Sequence, residues 1–269
     1  MRKEEYWQNI GENGIKVYLY DSLDSTNNQA WRLRQEENKE FPLVVMAKRQ
    51  LAGKGQRGKR WESREGGLYL SVGLNLNLPV TALSHLTIFS AATIVETFNQ
   101  QNIPVRIKWL NDLVLEEKKL GGILWETKTE NKLITAAVVG VGLNYENTPP
   151  PGGISLQSYF YHTIAKEPPP LQFLARQVIY SLIKGYNDYL NSGIESIINT
   201  YNKFLFHLDK EVKLGDNRGR ILEVDKGGDL LVKMEAKNAQ TVVRLSPEKY
   251  QLSYQKEAEG VYRISRRGK

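Results

Sequence analysis

Apolar and polar residues alternate along most of this chain in runs short enough for strands, and the period lengthens to that of a helix in a few places. IKVYLY, from Ile15, alternates as a strand, and Asp24, Ser25 and Thr26 after it are N-cap candidates for a helix carrying Ala30, Trp31 and Leu33. PLVVMAKRQ, from Pro42, and GGLYLSVGLNL, from Gly66, read as two more strands. TALSHLTIFSAATIVETFNQQ, from Thr81, has helical spacing and predicts a buried helix. VRIKWLNDLVLEEKKLGGILWETK, from Val105, reads as strand, Asn-Asp turn, strand, Lys/Gly turn and strand, and LITAAVVGVGLNY, from Leu133, adds another strand. The proline clusters at Thr148–Gly153 and Glu167–Pro170 predict loops, followed by helices over Leu171–Leu190 and Glu195–Phe206. From Lys210 short strands alternate with glycine turns, which predicts a small β-barrel of roughly sixty residues. The expectation is an α+β protein: a mixed-sheet core over residues 1–207 and a β module over 208–269.

Composition narrows the class. With 269 residues, 41% hydrophobic and 10% aromatic, the chain suits one large and one small globular domain, or two comparable ones. The longest apolar stretches, such as LITAAVVGVGL, fall short of the roughly 20 residues of a membrane-spanning helix. The first residues, MRKEEYWQNIGENG, are polar and contain no apolar signal region. The absence of cysteine excludes disulfides, a thiolate nucleophile and a sulfur-bound zinc. His85, His162 and His207 are far apart in sequence, so a histidine metal site is not expected, and no metal ligands stand out. A soluble, cytoplasmic protein with no membrane partner is expected.

Charge gives a sharper clue. The net charge is +7, and the segment from Lys48 to Arg64 alone holds Lys48, Arg49, Lys54, Arg57, Lys59, Arg60 and Arg64 against the single acid Glu62. Such concentration points to an anionic ligand at one place, with a solvated basic face as the plainer reading. The basic end RISRRGK reads as a frayed tail. Gly53, Gly55 and Gly58 in LAGKGQRGKRWES formally satisfy G-x-G-x-x-G. A dinucleotide loop, however, opens a helix, and here the next regular element reads as a strand. The G-x-x-x-x-G-K-[ST] phosphate loop is absent. What remains is a flexible, closable loop whose cations face phosphate, on a nucleotide or on a nucleic-acid backbone. Trp61 is a flat face for a ring or an ordinary core side chain.

Four further stretches point to a family. DSTNN precedes the first helix, KWLND joins two strands, KLGGIL follows, and GVGLNYE ends a strand. Together with GKGQRGKRW, in this order, they resemble the biotin–protein ligase family, which carries S-T-N, G-R-G-R-x-G-R-x-W, K-W-P-N-D, K-x-x-G-I-L and G-x-G-x-N. The likeness is close over residues 24–156, and the terminal β module resembles that family's SH3-like cap. It implies an ATP-dependent, AMP-forming ligase. Biotin and ATP, with Mg2+, give biotinoyl-AMP and pyrophosphate, and the biotinoyl group then passes to a lysine of a biotin carboxyl carrier protein.

The resemblance also implies roles for residues. Ser25, Thr26 and Asn27 would bind biotin's ureido head, the plainer reading being simple N-capping, and Gln50 would line the same site. Lys54, Gly55, Gln56 and Arg57 would close over the carboxylate and α-phosphate, and Trp61 would pack near adenine. Lys119 would place a cation beside the reacting groups, with Gly121, Gly122 and Ile123 giving close contact to the ligand. Trp109, Asn111 and Asp112 would form a turn beneath the site, Asn111 near adenine, and Asn144 would contact the nucleotide. Lys54, Arg57 and Lys119 would be the catalytic cations. Three positions depart from the pattern: Lys54 and Gln56 stand where the family has arginine, and Leu110 where it has proline, which should loosen the turn. About 20 residues precede the YLYDSLDST turn, too few for a helix-turn-helix module, so a monofunctional enzyme without DNA binding is expected, with a homodimer as a candidate assembly. Lipoate–protein ligase and a basic nucleic-acid-binding protein are the alternatives.

Overall fold

The computed structural model describes residues 15–236, 239–257 and 260–267. In chain order the elements are β1 (Lys16–Leu23), α1 (Thr26–Gln35), β2 (Leu43–Gln50), β3 (Leu68–Pro79), α2 (Leu83–Gln100), β4 (Arg106–Lys108), β5 (Asp112–Leu115), β6 (Lys118–Glu130) and β7 (Leu133–Leu143). There follow α3 (Leu156–Tyr159), continued by a π-helical turn to Ile164, and α4 (Leu171–Lys203). The chain then enters β8 (Glu211–Leu214), β9 (Asn217–Val224), β10 (Leu230–Ala236), β11 (Ala239–Leu245), β12 (Tyr250–Leu252) and β13 (Tyr262–Arg266). Two compact units result. One takes in the chain to Leu83 with Leu120–Tyr180, and the other Ser84–Lys119 with the chain from Ser181 onward.

The first unit is built on strands in the order β1-β2-β3-β7-β6. β1 and β2 are parallel, with Lys16 opposite Leu43, because α1 provides the crossover that a parallel pair needs. The other pairs are antiparallel, with Leu43 opposite Gly73, Leu68 opposite Leu143, and Gly121 opposite Leu143. α1 packs Ala30 and Leu33 against Phe41, Leu43, Val45, Ala136 and Val138. All of Leu43–Ala47 is buried, which is why this stretch is an unbroken apolar run. Residues 156–164 are helical, a segment that the neighbouring prolines masked in the sequence.

The second unit contains α2, the β4–β5 hairpin, the rest of α4 and the terminal sheet. Val80–Gln100 is long and apolar enough, by length and composition alone, to cross a membrane, but 56% of its apolar 18-residue window is buried inside the protein, as the buried helix predicted from Thr81 requires. Its buried side chains include Leu86, Ile88, Phe89, Ile94 and Val95, as in a core helix. α4 spans Leu171–Lys203 as two helices joined across a kink at Gly193 (φ 69, ψ −172), which falls between the two predicted helices.

One expectation needs correction. The predicted barrel is a six-stranded sheet, β11-β10-β9-β8-β13-β12, whose end strands β11 and β12 do not pair with each other among the described residues. β8 and β13 pair in parallel and the rest antiparallel. The second compact unit also takes in Ser84–Lys119 and the chain from Ser181. The Ile107 amide donates to the Phe204 carbonyl at 2.9 Å, the Phe206 amide donates to the Ile107 carbonyl at 2.8 Å, and Trp109 Nε1 donates to the Gly228 carbonyl at 2.8 Å. These bonds group β4 and β5 with the terminal strands, a long-range tie that local patterning does not show.

Candidate functional site

In the first unit, the start of α1 is a buried polar pocket. Ser25, Thr26 and Asn27 are 2%, 4% and 3% exposed. Ser25 has the extended backbone of an N-cap (φ −157, ψ 137), yet its side chain makes no capping bond. Gln50, from the end of β2, does that work instead, its Oε1 accepting from the Thr26 amide at 2.8 Å. Gln50 Nε2 donates to Ser63 Oγ at 2.8 Å. Ser71 Oγ lies 2.6 Å from Asn27 Oδ1 and 2.7 Å from Thr26 Oγ1. Asn27 Oδ1 only accepts, so Ser71 donates its one proton there, and Thr26 Oγ1 lies within reach of both Ser71 Oγ and Gln50 Oε1, the latter at 3.1 Å. In this arrangement Asn27 Nδ2 is a buried donor without a partner among the described residues. Such a group is rare in folded proteins and fits an acceptor oxygen brought by a ligand.

Asn27 fits only because β7 is bare beneath it. A Cβ on Gly140 would run into Asn27 Oδ1. Gly140→Ala is therefore expected to cost about 1–3 kcal/mol of stability by overpacking a buried network, measured by urea denaturation. Gly142 does the same for the basic loop: a Cβ there would lie 2.5 Å from Trp61 Nε1 and 2.9 Å from Trp61 Cε2. The second and fourth residues of VGVG thus leave room for the amide and the indole.

The basic loop, expected to be flexible, is a narrow hairpin. The Trp61 amide donates to Gly53 O at 2.9 Å, Gly55 to Lys59 O at 2.6 Å, and Lys59 to Gln56 O at 3.2 Å. Arg57 (φ 58, ψ 43) and Gly58 (φ 72) are both left-handed, as the two centres of a type I′ turn must be. Gly58 takes that conformation freely, whereas a side chain such as that of Arg57 does so at a cost of roughly 1–2 kcal/mol. Lys54 Nζ pairs with Glu126 Oε1 at 2.8 Å, and Trp31 Nε1 donates to Glu126 Oε2 at 3.2 Å. The hairpin, Leu124 and Glu126 line an open cavity of about 570 Å³. Gln56 is half-buried, while Arg57 and Lys59 are exposed. Along β6, Leu124 and Glu126 share a face with Gly122; Ile123 alternates with them, and its side chain is buried on the other face. Asn144 is 2% exposed, and its Oδ1 accepts from Asn147 Nδ2 at 3.0 Å. Glu126, Ser63 and Ser71 were missed in the sequence. Strand alternation from Gly122 was the available signal for Glu126.

The second unit holds Asn111 and Lys119. Lys108, Trp109, Leu110 and Asp112 surround the turn between β4 and β5, and the Trp109–Leu110 peptide is cis. The turn expected to be loosened by Leu110 is pinned: Tyr201 donates its hydroxyl to the Leu110 carbonyl at 2.9 Å, and Trp109 is bonded to Gly228. Asp112 is the hub here. Lys119 Nζ lies 2.7 Å from its Oδ1, Lys108 Nζ lies 3.4 Å from its Oδ2, and the Tyr254 hydroxyl donates to Oδ2. Burial alone would raise the Asp112 pKa, but Lys108 and Lys119 outweigh it and hold the carboxyl below its ordinary value. Burial, partly offset by Asp112, lowers the pKa of Lys108. Among the described residues there is no group of three or more His, Cys, Asp or Glu side chains placed to hold a metal.

Comparison with known proteins gives the family. The sequence profile of the biotin/lipoate A/B protein ligase family matches residues 19–144. The bifunctional ligase/repressor BirA of Salmonella typhimurium is 30% identical over 225 residues, covering 79% of this chain and 67% of that protein. Its namesake from Bacillus subtilis is 27% identical over 227 residues, 81% of this chain and 70% of that protein. The solved structure of biotin protein ligase from Aquifex aeolicus in complex with biotin and ATP superimposes with a TM-score of 0.68 at 22% identity, covering 94% of this chain and 99% of that one. The matched segment contains the buried amide pocket, the basic hairpin and the Asp112 turn, and on these grounds the chain belongs to the biotin/lipoate A/B protein ligase family.

Proposed function

We propose that this chain is a biotin–protein ligase that forms biotinoyl-5′-AMP and transfers the biotinoyl group to a lysine of a biotin carboxyl carrier protein. The observation that carries the reading is the unmatched Asn27 Nδ2 donor in a buried pocket of the same unit as the cationic hairpin. A ureido carbonyl supplies the missing acceptor, and a carboxylate and phosphates suit the cations. Ser25, Thr26, Asn27 and Gln50 hold the ureido end. Lys54, Gly55, Gln56 and Arg57 cover the carboxylate and α-phosphate, with close contact from Gly122 and, through its backbone, Ile123. Trp61, Asn111 and Asn144 hold the nucleotide. Residues 1–207 carry these roles, and 208–269 form the terminal β module.

The chemistry follows from charge. A biotin carboxylate oxygen attacks the α-phosphorus, the bond from that phosphorus to the bridging oxygen breaks, and pyrophosphate leaves. Lys54, Arg57 and Lys119 offset the repulsion between carboxylate and triphosphate and stabilise the charge that develops. Lys54 enters that role by leaving Glu126, so anion binding exchanges one carboxylate for another. The acceptor lysine, as free amine, then attacks the acyl carbon, AMP leaves and the amide nitrogen loses a proton. No protein nucleophile is needed. Mg2+ would arrive on the triphosphate, which it binds naturally with few protein ligands, and would neutralise phosphate charge.

ATP–pyrophosphate exchange with biotin, lipoate or no acid tests the reading. Exchange that requires biotin supports it, exchange with lipoate alone replaces the substrate, and no exchange with either overturns it. Gln56 adds a further expectation. An uncharged amide at this position makes weaker bonds to an adenylate than a guanidinium does. Gln56→Arg is expected to slow release of biotinoyl-AMP about tenfold, measured by the decay of radiolabelled adenylate from the protein.

A further inference from the structure

Tyr254 comes just after β12, 142 residues along the chain from Asp112, yet its hydroxyl donates to Asp112 Oδ2. Its ring also lies under Lys108 Nζ, 4.2 Å from the centroid. Nothing in the chemistry assigned above uses this side chain. We propose that Tyr254 is a positioning residue for adenylate formation, its hydroxyl fixing Asp112 so that Oδ1 holds Lys119 in place. The inference rests on the role given to Lys119 under the proposed function.

The argument is one of competition for a carboxylate. Lys108 and Lys119 both face Asp112, and their side chains are 6% and 33% exposed. Lys108, being buried, has no water to replace a lost partner, whereas Lys119 has. Without another donor on Oδ2 the carboxylate would turn toward Lys108, and Lys119 would be the cation released. The Tyr254 hydroxyl occupies Oδ2 on the side of Lys108, while its ring face gives that ammonium a second favourable neighbour. Oδ1 is thereby left to Lys119. Burial first, then the adjacent Asp112 carboxylate, push the tyrosine pKa up, so the hydroxyl remains a donor. The terminal sheet thus sets the position of a cation to which it contributes no charge.

Tyr254→Phe removes the hydroxyl and keeps the ring. In biotin-dependent ATP–pyrophosphate exchange, kcat is expected to fall about tenfold to a hundredfold, as for a misplaced reacting group, with KM for biotin and the melting midpoint unchanged. A kcat within twofold of the wild type overturns the proposal. So does a loss of kcat matched by a lower melting midpoint, which would mark a merely structural tie. In single-turnover assays followed for hours, Tyr254→Phe is expected to add nothing to Lys119→Ala; an equal loss in both backgrounds also overturns it. Absence of biotin-dependent exchange in the unaltered chain refutes the ligase reading itself and takes the role of Tyr254 with it.

Discussion

Lys119→Ala is expected to lower biotin-dependent ATP–pyrophosphate exchange about a thousandfold, the scale on which removing one preorganised charge-stabilising group acts. The ammonium is already placed before substrate arrives, at 2.7 Å from Asp112 Oδ1. Under the proposed function its charge would serve the transition state without reorganisation. The same substitution should leave the fold intact, because Asp112 retains Lys108 and the Tyr254 hydroxyl and the lysine itself is one-third exposed. Exchange kinetics alongside a melting curve check both halves. A variant that exchanges within tenfold of the wild type would remove Lys119 from the chemistry.

Asp112→Ala is expected to act on stability as well as on rate. It strips the ionic partner from Lys108, whose side chain is 6% exposed, and leaves a buried ammonium against the Tyr254 ring. Breaking one side of a buried pair costs about 3–5 kcal/mol. Urea denaturation at neutral pH measures it. The dependence on pH has a definite sign. The groups facing this carboxyl are Lys108 and Lys119, Tyr201 from α4 and Tyr254 from the terminal sheet, and the two lysines hold its native pKa below the unfolded value. Its contribution is complete above about pH 4 and is lost as the pH falls through the lower, native value. The gap between wild type and variant should therefore narrow in acid. A gap that widens in acid, or none at neutral pH, would show that Asp112 is not the hub of its lysines.

Elements whose burial pattern is local could be read from the sequence. The period-two runs gave β1 and β3, the apolar runs β2 and β7, and capping residues and helical spacing gave α1 and α2. The STN, GKGQRGKRW, KWLND, KLGGIL and GVGLN stretches stood out as candidates because each sits on a turn or at an element's end. Partnerships between distant segments were hidden. Nothing near Ser25 indicates that Gln50 would cap α1, or that Glu126 would hold Lys54 from 72 residues away. Tyr254 looks like any polar-edge tyrosine until the fold sets it on Asp112. Closure of a barrel depends on the two end strands meeting, which alternation within each strand does not specify. The helix at 156–164 lost its signal to the flanking prolines.

The bare stretch of β7 has a consequence for how such a chain can change over generations. Gly140 and Gly142 are negative images of two side chains that belong elsewhere, the Asn27 amide and the Trp61 indole. Any mutation that adds a methyl at 140 must be matched by retreat of Asn27, and one at 142 by retreat of Trp61, so neither position can drift alone. The strand and the two elements packed on it form a single heritable unit spread over three separate stretches. A sequence that loses either glycine and still folds should show its compensation at residue 27 or 61, well away from the site of the change.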